Sequence, residues 1–188
     1  MASEIILISG SIRSGKSDFA ESIAREKAKD TGKKVAYVAT ARAGDQEMAE
    51  RIDRHRQKRP ADWLTIENLY CPAAALQEAY SNGRFIVLLD SMAMVVSNLL
   101  CRSDGARLGS EAGLHVEISP VFADLCGHAA KLAGMSLIIV TEEVGWSLAP
   151  ENLLGRAYQN LLGRINQEVA AQAAEVWLVV MGIPQRLK

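Results

Sequence analysis

The run Gly10-Ser11-Ile12-Arg13-Ser14-Gly15-Lys16-Ser17 follows directly on the apolar stretch Ile5-Ile6-Leu7-Ile8. It spells G-x-x-x-x-G-K-S with a strand-like run before it and a helix-like run after it, which is the setting this pattern requires. The chemistry explains the spacing. Glycines let the backbone wrap an anion without Cβ clashes. Successive N–H groups and the positive end of the following helix then point at the bound phosphate. Lys16 reaches the outer phosphates, and the Ser17 hydroxyl is placed to ligate Mg²⁺. A glycine turn that merely joined strand to helix would leave Lys16 unexplained, because a cation beside a helix N-terminus is disfavoured by the dipole.

Beyond the loop, short apolar runs alternate with longer helical patterns. Strands are expected at Glu4–Ser9, Lys34–Ala39, Phe85–Leu89, Ser136–Thr141 and Glu175–Met181, with a weaker one at Trp63–Glu67. They are continuously apolar, as in strands covered on both faces. Helices are expected at about Lys16–Asp30, Asp45–Gln57, Pro72–Tyr80, Met92–Leu100, Ile118–Leu132 and Glu151–Ala173. Gly32 sits where a helix would end, and Ser119-Pro120 reads as an N-cap followed by proline at the first helical position. The stretch Cys101–His115 is polar, glycine-containing and without period, which reads as a mobile surface loop. The alternation predicts an α/β fold, a mostly parallel central sheet with helices on both faces, formed by residues 1–188 as a single nucleotide-binding domain.

The 188 residues carry a net charge of -1 and 49% hydrophobic residues, which fits a soluble enzyme and excludes the basic excess of a nucleic-acid binder. No apolar run reaches the length of a membrane span, and no secretory signal pattern opens the chain, so a cytoplasmic protein is expected. Cys71, Cys101 and Cys126 are odd in number and widely spaced, which reads as reduced, packed thiols.

In open parallel sheets the ligand lies beyond the carboxyl ends of the strands. The residues that follow the predicted strands are polar there: Ala39-Thr40-Ala41-Arg42, Asp90-Ser91 and Thr141-Glu142-Glu143-Val144-Gly145. Asp90 ends an apolar strand, as a carboxylate that holds Mg²⁺ does in a phosphate-loop enzyme. It would equally serve as the N-cap of the helix that follows; the phosphate loop tips the reading to the metal. Glu143 has three open roles, positioning water, polarising a substrate hydroxyl or capping a turn, and Glu142 beside it is no better defined.

His55 stands in the strongly charged stretch Asp45 to Pro60, whose apolar stripe is only Met48 and Ile52. A solvated helix with an incidental histidine is the plain reading. The functional one makes neutral His55 a nucleophile toward phosphorus, its pKa lowered by Arg54 and Arg56, which would also hold a triphosphate. With Glu67, these two arginines join the loop residues and Asp90 as nucleotide-binding candidates. His115 and His128 have weaker claims. Trp63, Trp146 and Trp177 are expected in the core or at an interface.

Taken together, these segments resemble the bifunctional adenosylcobinamide kinase / adenosylcobinamide-phosphate guanylyltransferase family of cobalamin assembly. The match is carried by Ile8 to Ser17; by Asp45-Gln46-Glu47-Met48 with Ile52 to Arg56 and Arg59-Pro60; by Leu88-Leu89-Asp90 with Ser97 to Leu100; and by Val140 to Gly145 with Pro150-Glu151-Asn152 and Gly163 to Gln167. The resemblance implies a RecA-like phosphate-loop NTPase fold, a homotrimer, and ATP, GTP and Mg²⁺ as cofactors. It implies phosphorylation of adenosylcobinamide, then transfer of GMP through a guanylyl-histidine to adenosylcobinamide phosphate, giving adenosylcobinamide-GDP. His55 stands at the guanylylated position, with Lys16 and Asp90 as its catalytic companions. The chain departs from the family pattern at Arg54, where some members have a second histidine, at Glu142, where asparagine is usual, and at Ser91, where cysteine is common. The rival readings are another small-molecule kinase with an inert His55, and a nucleotide-switched binding protein; the chain lacks the Asn-Lys-x-Asp guanine motif of Ras-like switches.

Overall fold

A computed structural model describes residues 3–42, 46, 50, 53, 56, 57, 59–102 and 111–188, with the side chains of 111–113 left aside. In chain order the elements are β1 (Glu4–Gly10), α1 (Lys16–Thr31), β2 (Lys34–Ala39), β3 (Leu64–Glu67), α2 (Pro72–Ser81), β4 (Arg84–Asp90), α3 (Met92–Arg102), α4 (Glu111–Lys131), β5 (Ser136–Val140), α5 (Leu153–Gln172), β6 (Glu175–Val180) and β7 (Ile183–Arg186). Seven strands form one sheet in the order β3-β2-β4-β5-β1-β6-β7. The first six run parallel, and β7 pairs antiparallel with β6.

Alternation along the strands divides the core in two, because successive side chains leave a strand on opposite faces. Ile5, Leu7, Val87, Leu89, Leu137 and Ile139 join residues of α2 to α5 on one face. Ile6, Ile8, Ile86, Leu88, Ile138 and Val140 join Ala20 and Ala24 of α1 on the other. Trp63 is buried on the α1 face, and Trp177 packs edge-on against Phe19 with ring centroids 5.3 Å apart. Trp146 is exposed, so the core reading fails for it.

All six expected strands start and stop within one residue of the prediction, the weaker one included, which begins at Leu64. Gly32 ends α1 in the left-handed conformation, φ 68, donating its N–H to Ala28 O. The expected helix over Asp45–Gln57 falls largely outside the described residues; Gln46, Glu50, Asp53, Arg56 and Gln57 are helical.

Two expectations about the elements are corrected. Pro120 lies inside α4, not at its start. Leu114, Ile118, Phe122, Leu125 and Ala129 are all buried at three- and four-residue spacing, and this apolar stripe carries the helix through the proline. Ser119 donates its hydroxyl to Glu168 of α5 instead of capping, and Glu168 also meets His115 Nε2 at 2.7 Å. The reading of Cys101–His115 as one loop gives way likewise, since α3 runs to Arg102 and α4 begins at Glu111; residues 103–110 lie outside the described part. β7 is additional to the expected strands: the apolar pattern does not reveal it, because all four of its residues are exposed and one is proline.

Among the described residues no helix is long and apolar enough to cross a membrane. All three cysteines are free, but only Cys126 is buried; Cys71 and Cys101 are exposed. Burial pushes the Cys126 thiol up to about 11. At about pH 8 iodoacetamide should therefore modify Cys71 and Cys101 in the native protein, and Cys126 only after unfolding, as peptide mapping would show. Phe122→Ala should lower stability by about 3–5 kcal/mol in urea unfolding, from lost transfer energy and the cavity left behind.

Candidate active site

The loop between β1 and α1 is built to hold an anion. Helix α1 begins after Gly15, whose φ of 91 suits glycine alone, and no side chain caps its first N–H groups. The Ser14 hydroxyl is buried with no partner. Lys16 is 6% exposed, and its Nζ donates to Ser11 O at 3.1 Å across its own loop. A Cβ on Gly10 would stand 2.5 Å from Ser14 Oγ and 2.6 Å from Val179 O. The turn between β6 and β7 braces the loop from behind: Gly182 N–H donates to Ser14 O at 2.8 Å. Uncapped donors, an orphaned hydroxyl and a nearly buried ammonium together fit a polyphosphate.

Asp90 ends β4. Its Oδ2 accepts a bond from the Tyr37 hydroxyl at 2.9 Å. The N-cap alternative falls to its neighbour: Ser91 Oγ accepts from Met94 N–H at 3.3 Å. Thr40 secures this corner by donating to Ser91 O at 2.9 Å and accepting from Ser91 N–H at 2.7 Å. Asn98 adds bonds to Thr40 O and Leu69 O. Over the Tyr37 ring lies the Arg59 guanidinium, 3.5 Å from its centroid. The Tyr37 phenol is pushed far above its usual range, by burial first and then by the Asp90 charge, with Arg59 opposing. It therefore stays a hydrogen-bond donor to Asp90.

Ser17 and Asp90 suit Mg²⁺ in their donor chemistry, one hydroxyl and one carboxylate. Among the described residues no group of three or more His, Cys, Asp or Glu could hold a metal.

Arg56 and Glu67 meet each other, with Arg56 Nη2 3.9 Å from Glu67 Oε1. Glu67 ends β3, four strand positions from β1, or roughly 19 Å along the sheet. Within one chain this pair is thus not gathered with Lys16. His55 and Arg54 lie outside the described residues. His128 is a partly exposed helix residue beside Asp124, and His115 serves the contact between α4 and α5. Sequence reasoning missed Tyr37 and Arg59. A tyrosine inside an apolar strand was the available signal, since a buried hydroxyl needs a partner. It also left Glu142 unassigned; its Oε1 stands 3.7 Å from Lys16 Nζ.

The fold and the cradle define a phosphate-loop NTPase-like protein. Two solved structures share the fold: the KaiC-like protein PH0186 from Pyrococcus horikoshii OT3 (TM-score 0.51, 13% identity, 94% of this chain and 71% of that one) and the flagellar accessory protein FlaH from Methanocaldococcus jannaschii (TM-score 0.54, 14% identity, 100% and 80%). At such identity they bear on architecture alone. Sequence goes further. The family model CobU, described as cobinamide kinase / cobinamide phosphate guanyltransferase, matches residues 6–187. The bifunctional adenosylcobalamin biosynthesis protein CobU of Escherichia coli strain K12 is 36% identical over 191 aligned positions, covering 98% of this chain and 99% of that protein. Its counterpart CobP of Pseudomonas aeruginosa is 37% identical over 182, covering 97% and 96%. The chain belongs to the cobinamide kinase / cobinamide phosphate guanyltransferase family, a family of transferases.

Gly10→Ala should cut nucleotide affinity at least tenfold, because the new methyl meets backbone oxygen at Val179 and the loop must move. Calorimetric titration with GTP, beside an unchanged far-UV spectrum, checks this.

Proposed function

We propose that this chain phosphorylates adenosylcobinamide at the expense of ATP or GTP, and then transfers GMP from GTP to adenosylcobinamide phosphate, giving adenosylcobinamide-GDP. Family membership over nearly the whole chain supports the pair of reactions. The observation that carries the nucleotide reading is the braced loop with its uncapped helix, orphaned Ser14 hydroxyl and nearly buried Lys16.

In this reading Gly10, Ser11, Ile12, Arg13, Ser14, Gly15, Lys16 and Ser17 wrap the phosphates. Lys16 neutralises charge that develops on the leaving phosphate. Ser17 and Asp90 would hold Mg²⁺, which supplies further charge neutralisation when bound. Tyr37 keeps Asp90 in place from its second oxygen. For the second reaction His55 is the nucleophile: an imidazole nitrogen bonds to the α-phosphorus of GTP, and pyrophosphate leaves. The phosphate of the corrinoid then takes GMP from the histidine. Splitting the transfer spares the enzyme from aligning both large substrates at once. Arg54, Arg56 and Glu67 would serve this nucleotide. The separation of the Arg56–Glu67 pair from Lys16 along the sheet supports a homotrimer in which a neighbouring subunit completes the site. We further infer one domain over residues 1–188, working in the cytoplasm.

Incubation with GTP labelled at the α-phosphorus should give an acid-labile protein adduct of GMP that maps to His55. His55→Ala should abolish the label and leave the kinase product. Label persisting in that variant, or kinase turnover in a wild type that never labels, would defeat the histidine assignment.

A further inference from the structure

The two glutamates that follow β5 have different surroundings. Glu143 turns back on its own segment, its Oε1 accepting from Gly145 N–H at 3.0 Å. Glu142 meets the cradle, its Oε1 3.7 Å from Lys16 Nζ. Lys16 is nearly buried. An ammonium so placed costs free energy unless a counter-charge lies beside it. The counter-charge that the fold supplies is Glu142, and Ser11 O takes one further bond from Nζ at 3.1 Å. The same carboxylate is felt on its other side, where the Tyr158 phenol is pushed above its usual range by burial and then by the Glu142 charge.

Neither partner withdraws with its backbone. Asn166 Nδ2 donates to Glu142 O at 3.0 Å, Thr141 N–H donates to Ile8 O at 2.9 Å, and Glu143 N–H donates to Gly10 O at 3.2 Å. Lys16 opens α1 directly behind Gly15. A phosphate that takes Lys16 therefore has two courses. It turns the carboxylate out toward solvent and forfeits the ion pair, or it binds beside the carboxylate and meets its charge. By either course it binds more weakly than it would beside a neutral side chain. The asparagine usual at this place in the family pattern is such a side chain. The charge beside Lys16 is thus an addition of this chain and not a requirement of the reaction.

We propose that Glu142 competes with the outer phosphates for Lys16, and so sets how tightly the cradle holds nucleoside di- and triphosphates and how fast the diphosphate leaves. The proposal rests on the nucleotide reading of the cradle given above. A phosphate-loop lysine reaches the outer phosphates, while the loop N–H groups hold those nearer the ribose. The competition therefore falls on the end of the ligand that a phosphoryl transfer changes. No covalent bond is made or broken at Glu142. Once the γ-phosphoryl group has gone, the diphosphate holds Lys16 by its β-phosphate, with fewer oxygens than the triphosphate brought. The carboxylate then retakes the ammonium as the product departs.

The test is calorimetric titration with ADP and with GDP in the presence of Mg²⁺, joined to stopped-flow release of their N-methylanthraniloyl derivatives. Wild type is compared with Glu142→Gln, Glu142→Asn and Glu142→Asp, and melting temperatures without nucleotide check folding. Both neutral variants should bind the diphosphate about three- to tenfold more tightly, with most of the gain in slower release. Asparagine keeps the test open should glutamine fail to fold, since the family pattern accepts it at this place. Aspartate keeps the charge and should stay within about twofold of wild type. Neutral variants that bind no more tightly than wild type overturn the proposal and leave the nucleotide reading standing. An aspartate variant that gains as much as glutamine overturns it too, because shape and not charge would then be the cause. A wild type that binds neither diphosphate removes the nucleotide reading itself, and the competition with it.

Discussion

Three strands in parallel register hold this site together. β5 lies between β1 and β4, and Val140 is level with Ile8 on one side and Asp90 on the other. The three strands therefore end at one height. Thr141 N–H extends the ladder to Ile8 O, and Glu143 N–H reaches Gly10 O at 3.2 Å. The cradle, the glutamate rim and Asp90 are thus fixed relative to one another by backbone bonds buried in the sheet. A slip of one residue would turn Asp90 and Glu142 to the opposite face, and it would drive the buried apolar residues of two cores out of place.

The cradle owes its shape to a turn far away in sequence. Met181 and Gly182 both have positive φ, 52 and 79, the geometry of a tight two-residue hairpin. That conformation is costly for methionine. In return the turn lays Gly182 against Gly15 and delivers its N–H to Ser14 O. A phosphate loop must keep its N–H groups pointed inward without its ligand. Here a hairpin on the neighbouring strand keeps it open from outside.

The phosphate loop, the parallel sheet and the rim at its carboxyl ends were legible because each rests on local pattern: glycine spacing, continuous apolar runs, polar residues after strands. The residues Tyr37, Arg59 and Glu142 were not, because their tasks depend on strand order. Tyr37 reaches Asp90 only because β2 pairs with β4, 53 residues away in the chain. Glu142 and Glu143 are adjacent and chemically alike, and nothing local separates a carboxylate that caps its own turn from one that meets Lys16. Pro120 misled for a related reason. Proline at a helix start is a sound local rule, but a stripe from Leu114 to Ala129 buried against two other helices outweighs one lost backbone bond.

The region around the histidine segment has a firm hold and a weak one. Arg59 stacks on Tyr37 at 3.5 Å, on a largely buried ring whose hydroxyl is already committed to Asp90. Arg56 meets Glu67 at 3.9 Å with both side chains mostly exposed. Such a pair contributes less than about 1 kcal/mol. Phosphate offers a guanidinium two charge-assisted bonds in matched geometry, which is worth more than one long contact to a solvated carboxylate. In the function proposed, nucleotide therefore takes Arg56 from Glu67 at little cost, while Arg59 stays on the ring. The same tyrosine would then tie the foot of the guanylylation segment to the carboxylate at the kinase centre, a physical reason for both reactions to sit on one sheet edge.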